Sequence, residues 1–166
     1  PWADAQAEKA KRAQAKMARA AAKVERASIR ARKEAIKTIA QLIADAQIAF
    51  NGFIRERDKG KGCFVCGRPF TDKPGQVQHA GHVRSRGAAG HLRFNEDNCM
   101  GECEGCNGPH GAKPHQIEAG AIARIGAERY AALCADNTPH KWQRAELIAI
   151  KHEYRAKLKE LKGRTC

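Results

Sequence analysis

Aromatic side chains are scarce in this sequence: five Phe, two Tyr and two Trp, 5% of 166 residues. So few rings argue against a large aromatic-lined pocket for a flat organic cofactor. Long apolar runs are missing too. The most apolar stretch, Ala35 to Phe50, is interrupted by Lys37 and Asp45, so no membrane-spanning helix is expected. The first residues, starting from Pro1, are charged and lack the apolar core of a signal peptide. Acidic residues are few beside basic ones, 18 Asp and Glu against 31 Lys and Arg. The resulting formal charge of +13 points to a polyanionic partner, most simply nucleic acid. Charge carried for solubility alone is usually smaller and more mixed in sign. The length suits one domain with a helical extension.

The chain contains seven cysteines. An odd number without a secretory signal argues against a disulfide framework. Four form two pairs, Cys63-Phe-Val-Cys66 and Cys103-Glu-Gly-Cys106. Each such turn aims two thiolates at one point, and two turns complete a tetrahedral Zn²⁺ site. Gly67 follows the first pair and can take the left-handed conformation that turns backbone N–H groups toward sulfur. A redox role for one pair is the alternative, but neither sits in a βαβ pattern. Structural Zn²⁺ on Cys63, Cys66, Cys103 and Cys106 is the reading adopted. Cys99 reads as a small buried residue, and Cys134 and Cys166 have no partner pattern.

Residues 1–37 are an Ala/Lys/Arg/Glu tract without Gly, with 11 Lys and Arg against 4 Asp and Glu, a net of +7. Its composition predicts helix, serving either as a solvated arm or as a helix that tracks phosphates; the second is preferred. Ile36, Ile39, Ile43, Ala46, Phe50 and Phe53 follow at steps of three and four, a helix-packing seam that either lies buried in the same chain or joins two copies. Residues 1–57 are therefore expected to form one long basic helix. Residues 58–115, dense in Gly, Cys and His, would hold the metal-bound core, with short strands near Val77–Val83 and Leu92–Phe94. Residues 116–166 are expected to be helical, at about 116–125, 127–135 and from Gln143, with Leu147, Ile150, Tyr154, Leu158 and Leu161 on one face.

Between the cysteine pairs lies His79-Ala80-Gly81-His82, followed by Arg84 and Arg86; Asn98 comes later, and Asn107 directly follows Cys106. This order resembles the HNH branch of the ββα-metal nucleases, and the framing by cysteine pairs is similar to phage endonuclease VII. Phe53-Ile-Arg-Glu-Arg-Asp58, Ala80-Gly-His82, Leu92-Arg-Phe-Asn-Glu96, Cys103-x-x-Cys106-Asn107 and Ala149-Ile-Lys-His-Glu-Tyr154 resemble the NinG (Rap) recombination nucleases of lambda-like phages. The likeness covers roughly residues 46–162.

The resemblance implies an α+β fold: a small zinc-stabilised ββα-metal core flanked by the basic N-terminal helix and C-terminal helices. It implies a DNA endonuclease in the cytoplasm of a bacterial host, acting as a homodimer on branched DNA such as Holliday junctions and D-loops. A neutral imidazole can take a proton from water near physiological pH, and His82 is assigned that role. Asn98 would tie loop to strand and keep His82 aimed. Asn107, His79 and His110 would hold a catalytic Mg²⁺ or Mn²⁺, so that closing the thiolate pairs on zinc brings His82 beside Asn107. The family pattern reads Asp-Ala-Gly-His, and this chain has His79 in place of the carboxylate, which moves metal preference toward softer cations or removes activity. Arg84, Arg86, Arg93 and Lys113 would contact the phosphate backbone. The other functional readings are a non-catalytic, zinc-stabilised DNA-binding module and an HNH nickase without junction preference.

Overall fold

The computed structural model describes residues 2–108 and 110–164, which leaves Cys166 outside. The chain divides into two compact units, Pro1–Thr38 and Ile39–Cys166. The first is a single helix, α1 (Trp2–Ala35). Ala, Lys, Arg, Gln and Glu lose little side-chain freedom in a helix, and an i,i+4 pair links Arg12 to Glu8 at 3.2 Å. Trp2, Met17 and Val24 are 70–77% exposed.

The single helix expected over 1–57 is thus two. α1 stops at Ala35 and α2 (Ile39–Arg57) starts after a break at Ile36–Thr38. The cause is local: Thr38-Ile39-Ala40-Gln41 has the Thr-x-x-Gln pattern of a capping box, which opens a new helix instead of continuing the old one.

The second unit is a helix-rich α+β body. β1 (Gln78–His82) and β2 (Cys99–Cys103) form an antiparallel ribbon. β2 leads into α3 (Glu104–Asn107), followed by α4 (Pro114–Ile125), α5 (Ala127–Ala135) and α6 (Arg144–Gly163). Proline opens α4 at a position where its missing N–H costs nothing.

α2 packs along α6, and their shared core contains Leu42, Ala46, Phe50, Ile54, Leu147 and Tyr154. Phe50 meets Tyr154 edge-on at 4.8 Å and Phe94 at 5.8 Å. The α2 seam is therefore buried inside this chain from Ala46 to Phe53, whereas Ile36 is 80% exposed. Ile150, Leu158 and Leu161 pack against the same core, as the periodicity of α6 predicts. A second cluster, Phe64, Met100 and Ala121, joins the first cysteine turn, β2 and α4. No helix among the described residues is long and apolar enough to cross a membrane.

One strand expectation is corrected. Leu92–Phe94 is not extended: Gly90–Leu92 is a 3-10 turn, and the partner of β1 is Cys99–Cys103. Leu92 and Phe94 are both buried, but in separate clusters. They peg a loop into the core without sharing a strand face.

Candidate metal centre and the ribbon beside it

The four paired cysteines converge. Their sulfur atoms all lie within 4.8 Å of one another, and Cys66 Sγ and Cys103 Sγ are 3.7 Å apart. A tetrahedron with Zn–S bonds near 2.3 Å has sulfur–sulfur edges of about 3.8 Å, so the donor set fits Zn²⁺ in chemistry and size. The first turn closes through Gly67 N–H to Cys63 O and Cys63 N–H to Arg68 O, both 2.9 Å. Gly67 has φ +71°, the conformation a glycine adopts without steric cost. The second pair spans the end of β2 and the single turn of α3, whose Glu104 and Gly105 N–H groups donate to Val77 O and Gly75 O. Cys99 is fully buried in the α2–α6 core and takes no part in the cluster; burial pushes its thiol up to about 12.

The pairing register orders the ribbon. His79 faces Glu102 across the strands and His82 faces Cys99. This puts His79, not His82, at the end from which α3 departs, three residues or about 10 Å from His82. Strand alternation turns the two histidines to opposite faces. His79 and Glu102 flank the start of α3, and His82 lies at the far end of the ribbon.

His82 is half-buried, with Phe50 6.4 Å away between ring centroids. Its Nε2 lies 3.0 Å from Arg93 O. A carbonyl only accepts, so Nε2 carries the proton and Nδ1 keeps its lone pair, 3.8 Å from Cys99 Sγ. Burial lowers the imidazole pKa below its usual value, and the Arg86 and Arg93 charges lower it further against the opposing carbonyl bond.

Asn98 is completely buried. Its Oδ1 accepts from Arg84 N–H at 2.8 Å, and its Nδ2 donates to Arg84 O and Leu92 O at 3.1 Å. It clamps both ends of the loop between the strands.

Of the proposed phosphate ligands, Arg86 and Lys113 are exposed, and Arg93 reaches Gln47 Oε1 at 3.3 Å. Arg84 is reassigned. Its guanidinium donates to Leu133 O at 2.9 Å, to Asp136 O at 2.5 Å and to Asn137 Oδ1 at 2.7 Å. The last carbonyls of a helix lack intrahelical donors, and a cation at that end also suits the helix dipole, so Arg84 caps α5. His91 adds a contact to Asp136 O at 2.9 Å.

Asn107 and His110 are exposed. His110 lines an open cleft with Cys66, Cys103, Cys106 and Gln116. Among the described residues the four cysteines form the one group of three or more His, Cys, Asp or Glu ligand atoms, so His79 and His110 belong to no second group of that kind. Pro109 lies outside the described residues.

Two features were not anticipated. Arg57 grips Asp58 through Nε and Nη2 at 2.9 and 2.8 Å, and Asp58 Oδ2 accepts from Gly101 N–H at 2.8 Å, fastening the end of α2 to β2. Burial raises the Asp58 pKa, but the Arg57 hydrogen bond and charge outweigh it and the carboxyl ends below its usual value. Glu102 is the second: it is 4% exposed, and burial pushes its carboxyl up to about 7.

Fold and site together define a helix-rich α+β protein whose small ribbon adjoins a cluster of four cysteines that fits a metal ion. Comparison with known families narrows this. Residues 3–164 match the family model described as Bacteriophage Lambda NinG protein. "Protein ninG" of Escherichia phage lambda is 38% identical over 131 residues, covering 78% of this chain and 61% of that protein. The proteins of that name from Escherichia phage 933W and Salmonella phage P22 are each 37% identical, covering 78% and 77% of this chain and 62% and 61% of their own length. The chain belongs to the NinG family, and it spans about three-fifths of the length of these relatives. No solved structure matches it.

Proposed function

We propose that the chain is a metal-dependent DNA endonuclease of the HNH, or ββα-metal, type, cutting branched recombination intermediates such as Holliday junctions and D-loops in a bacterial host. One observation carries this reading. β2 runs without interruption into Cys103-Glu-Gly-Cys106-Asn107, and α3 packs against the strand that bears His79 and His82. A thiolate centre therefore fixes the turn that ends in Asn107 beside a histidine-bearing strand.

Phosphodiester hydrolysis needs an activated water and stabilisation of charge on the phosphorane and leaving oxygen; a bound Mg²⁺ or Mn²⁺ supplies the second. His79, Asn107 and His110 are the residues proposed to hold that ion. His82 is proposed as general base. It leaves β1 on the face opposite His79, so the scissile phosphate would have to reach it around the edge of the ribbon. Its Nε2–H is held by Arg93 O, which leaves Nδ1 to accept the proton, while its lowered pKa keeps the ring neutral at pH 7. Asn98 holds the loop that carries Arg93 against the end of β1. Arg86, Arg93, Lys113 and the basic face of α1 bind phosphates, which favours readout of DNA shape over base sequence. Symmetric incision of a junction needs two active sites and hence a homodimer. Because α6 covers Ala46, Phe50 and Phe53, the second copy would meet a surface other than the α2 seam.

The test is cleavage of four-way junctions and linear duplex with Mg²⁺ or Mn²⁺. His82→Ala should lose cleavage and keep DNA binding; unchanged cleavage overturns the assignment. His79 in place of the family's carboxylate supports a second reading, a DNA-binding module without catalysis. Junction binding with no cleavage under any divalent metal selects it, and equal rates on both substrates select an HNH nickase.

A further inference from the structure

We infer that Glu102 and His79 form a cross-strand pair that binds the divalent cation, with Glu102 supplying from β2 the carboxylate that β1 lacks at position 79. The inference rests on the nuclease reading above for the purpose of that cation.

Three observations place the pair together. His79 and Glu102 are direct partners in the antiparallel register, so their Cβ atoms lie about 4.5–5.5 Å apart on one face. Position 81, the next residue of β1 on that face, is glycine, and the Glu102 side chain occupies the space this leaves: a Cβ at Gly81 would lie 1.9 Å from Glu102 Oε2. The Ala-Gly of His79-Ala80-Gly81-His82 therefore has a spatial reason, since any side chain at 81 would expel the carboxylate. Finally, Glu102 is 4% exposed and has no hydrogen-bond or ion-pair partner among the described residues. Neither of its oxygens is among the completely enclosed unpaired atoms, so the carboxylate keeps an opening to solvent.

A buried carboxylate without a partner is costly unless a cation or donor meets it. Here a cation can approach along the solvent side and find an imidazole on the neighbouring strand. One carboxylate and one imidazole leave the remaining coordination positions to Asn107 and His110, proposed above, and to water and phosphate oxygen. Mixed nitrogen and oxygen donors shift preference from Mg²⁺ toward Mn²⁺ or Co²⁺. The site is separate from the thiolate centre in donor chemistry, although Glu102 adjoins Cys103 in sequence.

The experiment uses the full chain with zinc on its cysteines. Mn²⁺ is titrated and free Mn²⁺ followed by electron paramagnetic resonance. The wild type should bind one Mn²⁺, and Glu102→Gln, which keeps size and removes charge, should weaken binding more than about tenfold. Zinc content of one per chain and an unchanged circular dichroism spectrum show that this variant folds. The double variant His79→Asp/Glu102→Gln, which returns the carboxylate to β1, should restore binding and move preference back toward Mg²⁺. No Mn²⁺ binding by the wild type, or equal binding by folded Glu102→Gln, overturns the inference. Mn²⁺ bound through this pair in a protein that cuts no DNA would leave the inference standing and remove the nuclease reading. Cleavage by a wild type whose Glu102→Gln form binds Mn²⁺ and cuts equally well would do the reverse.

Discussion

Asn98→Ala is the sharpest perturbation of the loop between the strands. The side chain makes three hydrogen bonds in a fully buried setting, to Arg84 N–H, Arg84 O and Leu92 O. Leu92 O keeps a second donor, Asn95 N–H at 3.1 Å, so its loss is a single bond of about 1 kcal/mol. The two Arg84 backbone groups lose these partners, and because these bonds are part-buried each group left unsatisfied costs about 1–2 kcal/mol, the lower part of the range for buried groups. The expected destabilisation is therefore about 3–5 kcal/mol, a large part of the about 5–15 kcal/mol that holds an ordinary domain. In urea this lowers the unfolding midpoint by roughly 2 M for a slope near 2 kcal/mol/M. The assay is equilibrium unfolding of the zinc-loaded protein, with the slope checked for constancy. Asn98→Asp is the companion variant: it keeps the acceptor for Arg84 N–H but turns a carboxylate toward two carbonyl oxygens, so it should not rescue. A loss below about 1 kcal/mol in Asn98→Ala would refute the reasoning, because it would mean that water or a backbone shift satisfies these groups.

Four further outcomes follow from the site. Arg84→Ala should destabilise by about 1–3 kcal/mol, because its charged donors meet the end of α5. Arg86→Ala should leave stability within about 0.5 kcal/mol but weaken DNA binding and reduce the salt slope by about 1; paired urea and salt titrations distinguish the two roles, and the reverse pattern would reinstate Arg84 as a phosphate ligand. Chelation of zinc should unfold the ribbon and its thiolate turns, since a structural zinc contributes about 10–16 kcal/mol of apparent folding free energy; near-ultraviolet circular dichroism that is unchanged after verified metal removal would count against this. His82, whose pKa is lowered in the folded protein, contributes stability that is fully present above its unfolded pKa of ~6.5 and declines as pH falls toward the folded value. Wild type should therefore lose more stability than His82→Gln between pH 7.5 and 5.5, and the difference cancels the protonation of cysteines common to both.

What could be read from the sequence depended on distance along the chain. The cysteine pairs were legible because Cys-x-x-Cys is a local geometry that needs only one partner of the same kind. The α6 face was legible because its periodicity repeats over about four turns, from Leu147 to Leu161. The break between α1 and α2 was present as Thr38-x-x-Gln41, but the apolar seam runs straight across it, and the period hid the cap. Arg84 could not be placed by spacing. Its neighbours in sequence are Ser85 and Arg86, while the carbonyls it satisfies belong to residues near 133–136, so only the path of α5 reveals that the guanidinium is engaged.

The strand register had the largest effect on the site. With the second strand expected at Leu92–Phe94, Glu102 had no strand partner and nothing in its spacing singled it out. Once Cys99–Cys103 is the partner strand, antiparallel pairing sets His79 opposite Glu102 and His82 opposite Cys99. A shift of one residue would send every side chain to the other face. The side chains that end up together are then decided by the clamp of Asn98 on Arg84 at one end of the ribbon and the Asp58–Gly101 bond at the middle of β2. Asn98 and Asp58, the side chains that make the clamps, are buried and lie 16 or more residues from the histidines they help to position. The geometry of this ribbon thus depends on residues that a motif search for ligands passes over, and variants that loosen either clamp should weaken the Mn²⁺ binding proposed at His79 without touching a proposed ligand.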